Sequence, residues 1–106
     1  VQRLLDQAAE ILQDARDMAP AEAVGKFKEA VSLLEAARPG SERDGLMALA
    51  YLRLAQVHKR LGKRSEAERV FMLGYSYART SREERVRRFA EKLREELEGN
   101  GTENES

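Results

Sequence analysis

The chain of 106 residues contains no cysteine and no tryptophan, only two prolines and one histidine, and 6% aromatic residues. Without cysteine there is neither a disulfide staple nor a thiolate metal site, so packing alone must hold the fold. Few prolines and no β-branched runs remove both the main breaker of helices and the main signal for strands. The longest apolar run, residues 46–52, is far short of the roughly 20 residues a membrane span needs. The expectation is a soluble chain with no membrane insertion. A single histidine, His58, offers no nucleophile or orienting partner for general-base work, so no enzyme is expected. Gly25-Lys26 and Gly62-Lys63 lack the upstream glycine and the following Ser or Thr of a phosphate loop and read as turns. Carboxylates are scattered without ligand spacing, so neither a metal nor a cofactor is expected.

What is present is helical. Apolar residues make up 42% and charged residues 36%, rich in Ala, Leu, Glu, Lys and Arg. Leu4, Leu5, Ala8, Ala9, Ile11, Leu12 and Ala15 recur at three and four, giving a first helix that ends near Asp17 or Met18. A second starts at Pro20 or at Gly25 and carries Val24, Phe27, Ala30, Val31, Leu33, Leu34 and Ala37 inward until Pro39-Gly40 breaks it. Ser41, with Asp44, is the expected cap of a third helix reaching Leu61, which Gly62 closes in the left-handed conformation. Ser65 with Glu68 caps a fourth over about 64–80, with Ala67, Val70, Phe71, Gly74, Tyr75 and Ala78 inward, and makes a tight hairpin. Ser81 with Glu84 caps a fifth, bearing Val86, Phe89, Ala90, Leu93 and Leu97 and ending at Gly99. The expected domain is 1–98, with 99–106 a disordered acidic tail that has nothing to bury.

Two stretches thirty-seven residues apart match: Gly25, Lys26, Glu29, Ala30, Leu34 and Ala37 against Gly62, Lys63, Glu66, Ala67, Phe71 and Gly74. Such self-similarity is the mark of helical-repeat architecture. Within 48–80, Tyr51, Leu54, Ala55, His58, Gly62, Ala67, Phe71 and Gly74 resemble a tetratricopeptide repeat at its large, small, aromatic and glycine positions. His58 stands where that family has Tyr, Arg64 where it has an aromatic, and no proline follows the second helix. Residues from about 3 to 38 resemble a degenerate copy with a lengthened turn, and 83–98 its capping helix. The resemblance implies an all-α fold of about five helices, antiparallel hairpins stacked as a short right-handed superhelix.

It also implies a protein-binding module, part of a larger adaptor or scaffold, with a concave groove formed by the first helix of each pair. Carried over, that groove comprises Leu49, Leu52, Arg53, Gln56, Lys59 and Arg60, joined by Arg87, Arg88 and Arg94 of the capping helix. The chain's formal net charge of zero hides a division: −3 over 1–42, +8 over 43–94 and −5 over 95–106. The expected partner is therefore an acidic peptide or helix, held by arginine forks with Leu49 and Leu52 as apolar anchors. The acidic tail is expected to be solvated rather than to occlude the groove.

Other classes compete. Residues 1–38 loosely resemble a microtubule-interacting-and-trafficking helical bundle, and an oligomerisation bundle fits as well. Nucleic-acid binding through 82–94 is disfavoured by interspersed acids and few exposed aromatics. Asn100-Gly101-Thr102 and Asn104-Glu105-Ser106 match a glycosylation acceptor, a triplet common in polar tails. With nothing else pointing to secretion, a cytoplasmic location is expected. A start at Val1 rather than Met fits a fragment or a processed product.

Overall fold

Five helices form in the order expected: α1 (Gln2–Ala15), α2 (Pro20–Glu35), α3 (Ser41–Arg60), α4 (Arg64–Thr80) and α5 (Glu84–Glu105). They are seen in a computed structural model that describes the backbone of residues 2–105 and the side chains of 2–99, with no strand among them. The helices pack as successive hairpins. Each touches its neighbour in the chain, and α3 also touches α1 and α5, so α3 is the one element in contact with all the others.

That position explains its composition. α1 buries one narrow stripe, Leu5, Ala8, Leu12 and Ala15, whereas α3 buries residues around most of its circumference, among them Met47, Ala50, Leu52, Leu54, Ala55 and Val57. A helix enclosed on several sides has no wet face to show a simple period. Burial of each large side chain here is worth about 1.5–3 kcal/mol. The α3–α4 hairpin is close at Gly74, where a Cβ would stand 3.0 Å from Leu52 Cγ and 3.1 Å from its backbone nitrogen. Small residues at Ala55 and Ala67, both fully buried, complete this approach.

The turn between α3 and α4 follows the expected chemistry. Gly62 has φ of 77°, its N–H bonds to Lys59 O at 3.0 Å, and the Lys63 N–H bonds to His58 O at 2.8 Å. These paired bonds form a Schellman motif, which satisfies carbonyls the helix would leave orphaned.

Three expected caps do not form. Ser41 is the first residue of α3 rather than its cap, and Ser65 makes no cap bond, since the residues preceding α3 and α4 are Gly40 and Lys63. Glu68 instead pairs with Arg64. The Ser41–Asp44 pair serves tertiary contacts: Ser41 Oγ accepts the Arg82 N–H at 3.1 Å, and Asp44 accepts the Thr80 hydroxyl at 2.9 Å. Buried Ser81 accepts the Glu83 N–H, so it closes the turn into α5 without a box to Glu84. Together these bonds tie the start of α3 to the α4–α5 turn.

Other boundaries also move. α1 stops at Ala15, before Asp17, and α2 starts at Pro20, which leaves Gly25 inside the helix. The two glycines of the thirty-seven-residue echo are therefore not equivalent, one helical and one a left-handed stop. Ala30 and Ala67 do match as fully buried contacts. α5 runs through Gly99, whose φ is not positive, so the expected stop is not made there. The expectation of a solvated tail concerns side chains outside the described residues. Phe71 lies at the edge of the core against Tyr75, not at its centre, while Phe27 and Leu34 are buried.

Candidate functional site

Arg53, Gln56 and Arg60 fall at i, i+3 and i+7, which on a helix is one face. That face of α3 meets the turn between α1 and α2, and the two enclose a groove of about 260 Å³. Its apolar floor includes Met18, Phe27 and Val57, and its polar rim consists of Arg16, Arg53, Gln56 and Arg60. Among the described residues no carboxylate lines it. Arg53 is half-buried and its Nη1 donates to Leu12 O, a carbonyl in the last turn of α1, at 3.2 Å. Burial, and then the neighbouring Arg16, push the Arg53 pKa down, yet a guanidinium remains charged at any ordinary pH. α2 begins at Pro20 on the edge of this groove with no side-chain cap, so the positive end of its dipole adds to the three arginines.

Uncompensated positive charge over an apolar floor selects a ligand with a negative head and an apolar neighbour. A volume of 260 Å³ lies below the range of about 300–1,000 Å³ typical of small-molecule pockets. It suits one anchoring segment of a larger partner.

The nine residues expected to form a single groove are divided. Arg53, Gln56 and Arg60 line the α1–α2/α3 groove. Leu52 is fully buried against Gly74 and so belongs to the core, because α4 covers the side of α3 on which it lies. Leu49 is partly covered by the core, and Lys59 is partly exposed but lies outside the groove lining. Arg87 and Arg88 line a second groove of about 840 Å³ between α4 and α5, which shares no residue with the first. Arg94 pairs with Glu91 at 2.9 Å and lies over the Tyr75 ring, 5.8 Å from its centroid. Leu52 is thus core and not groove surface; of the apolar groove lining, Phe27 and Val57 are themselves buried and Met18 is partly exposed, and Arg16 joins the basic rim.

His58 is 5% exposed, with its Nδ1 buried and lacking a hydrogen-bond partner. Burial pushes its pKa below the usual imidazole value; Glu66 opposes this, and Lys28, Lys63 and Arg69 reinforce it. No helix is long and apolar enough to cross a membrane among the described residues. Comparison with known protein families, curated proteins and solved structures gives no match.

Proposed function

We propose that this chain is a protein-interaction module that holds an acidic peptide or helix at the α1–α2/α3 groove. One observation carries the proposal: three arginines, one of them half-buried, converge on an apolar-floored groove with no carboxylate to neutralise them. Burying cationic charge without a counterion is costly, and an incoming carboxylate removes that cost while forming bidentate bonds. Membership of the tetratricopeptide family is part of the same proposal. It rests on the residue pattern of 48–80, with small residues at Ala55, Ala67 and Gly74 where α3 and α4 approach. A role within a larger cytoplasmic adaptor or scaffold follows from that family reading.

The test is a set of anisotropy titrations with a labelled Glu- and Leu-rich peptide, an all-Glu peptide and a DNA duplex, each across a salt series. Saturable binding of the Glu/Leu peptide, stronger than that of the all-Glu peptide and lost in Arg16→Glu/Arg60→Glu, is expected. Binding of DNA alone, with the steep salt slope of phosphate neutralisation, would overturn the proposal.

A further inference from the structure

Charge on this molecule is separated between elements that never meet. On α1, Asp6, Glu10 and Asp14 form an exposed stripe at four-residue spacing, on the side of the helix opposite buried Leu5, Ala8, Leu12 and Ala15. None of the three is in an ion pair among the described residues; Asp6 only accepts a bond from Gln2, at 3.1 Å. At the other end of the packing order lies the α4–α5 groove, floored by Tyr75, Ala78 and Ala90. Arg79, Arg82, Arg87 and Lys92 line it and likewise make no ion pair among the described residues. Of its three acids, Glu84 is engaged by Arg88 at 3.1 Å and Glu91 by Arg94 and the Tyr75 hydroxyl, while Glu95 makes no ion pair among the described residues, so the unpaired lining carries four cations against one acid. Among the described residues α1 and α5 make no contact with each other, and α1 makes none with α4.

We infer that the acidic stripe of α1 in one copy docks into the α4–α5 groove of a second copy. The complementarity is within one sequence: a helix with three unpaired acids in register, a groove with four unpaired cations, and a net charge of zero for the whole chain. Exposed Ala9 beside the stripe adds no bulk to the docking face of α1, while Ala78 and Ala90 at the base of the groove are buried. Because the two surfaces are different patches, the contact is heterologous: it propagates head to tail instead of closing as a two-fold dimer. With little apolar area to bury, it depends on charge and is weakened by salt.

Sedimentation velocity over a concentration series, at roughly 0.02 M and 0.5 M salt, tests this. At low salt the weight-average sedimentation coefficient is expected to climb past that of a dimer, with association weakened at least about tenfold at high salt. Glu10→Lys/Asp14→Lys and Arg79→Glu/Arg87→Glu, each confirmed to keep wild-type helicity by circular dichroism, are each expected to sediment as monomers. Their equimolar mixture is expected to associate again, because each reversed surface now matches the other. Arg16→Glu/Arg60→Glu is expected to associate as wild type does, which separates this contact from the α1–α2/α3 groove. A monomer at every concentration, a dimer indifferent to both reversals, a mixture that stays monomeric, or loss of association in Arg16→Glu/Arg60→Glu would each overturn the inference. Capture of a free Glu/Leu peptide by the α4–α5 groove without self-association would also overturn it, and would assign the groove to a foreign acidic helix.

Discussion

Arg53 serves both fold and surface. Its bond to Leu12 O holds α3 against the last turn of α1, so replacing it affects stability as well as binding. Arg53→Gln should cost about 1–2 kcal/mol in a urea melt, the range for a partly exposed bond from a charged donor. Arg16→Glu/Arg60→Glu, at two exposed positions, should stay within about 0.5 kcal/mol of wild type. Gly74→Ala sets a new Cβ 3.0–3.1 Å from Leu52, including its backbone nitrogen, which cannot rotate away. Overpacking of this kind should cost about 1–3 kcal/mol. His58 supplies a pH dependence whose sign is fixed. Its folded pKa is depressed, chiefly by burial, so the unfolded chain binds the proton more readily. Stability should therefore fall as the pH drops below about 6.5, through the folded value. Urea midpoints measured through that window should fall less in His58→Gln than in wild type; an equal fall would show that His58 is not the group responsible. At this scale the rim residues on α3 were legible, because Arg53, Gln56 and Arg60 follow helical spacing. Leu52 was not, since the enclosure of α3 by four partners leaves no period to mark which apolar residues face outward. Arg16 was hidden too, because only closure of the α1–α2 turn onto α3 brings it to the rim.

Among elements, the α3–α4 junction separates chemistry that sequence encodes locally from chemistry that tertiary contacts override. Gly62 is required by a backbone with positive φ, and a Cβ there would meet no atom, so the cost of Gly62→Ala is conformational alone. It should be about 1–2 kcal/mol, with an unchanged denaturant slope. Ser65→Ala tests the opposite case. A functioning cap would lose about 1 kcal/mol, but Ser65 makes no cap bond, so the change should stay within about 0.5 kcal/mol. Loss of a full cap's worth of stability would contradict the observed start of α4. Ser/Thr followed by an acid three residues later is a local signal, and it correctly located the helix starts to within a few residues. The Ser41–Asp44 pair was recruited elsewhere: Ser41 accepts from Arg82 and Asp44 from Thr80, joining the α3 start to the α4–α5 turn, and no local pattern could announce that. Pro20 did mark the start of α2, because its missing N–H is harmless only in the first turn.

Across the whole molecule, helix number, order and hairpin connection were readable from periodicity and breakers, but the thirty-seven-residue echo overstated the equivalence of its halves. It preserves the buried contact of Ala30 and Ala67 while placing Gly25 within a helix and Gly62 in a turn. Uneven charge along the chain places its cations mostly over 43–94, and sequence spacing merged two grooves that folding keeps apart. The central claim is that the carboxylate-free groove between the α1–α2 turn and α3 takes the acidic partner. Amide chemical-shift mapping during titration with a Glu/Leu peptide, on dilute protein at moderate salt, tests it most directly. Saturable shifts centred on Arg16, Met18, Phe27, Arg53, Gln56 and Arg60, and absent in Arg16→Glu/Arg60→Glu, are the predicted result. Shifts confined to the α4–α5 groove, or unchanged by that double substitution, would contradict it.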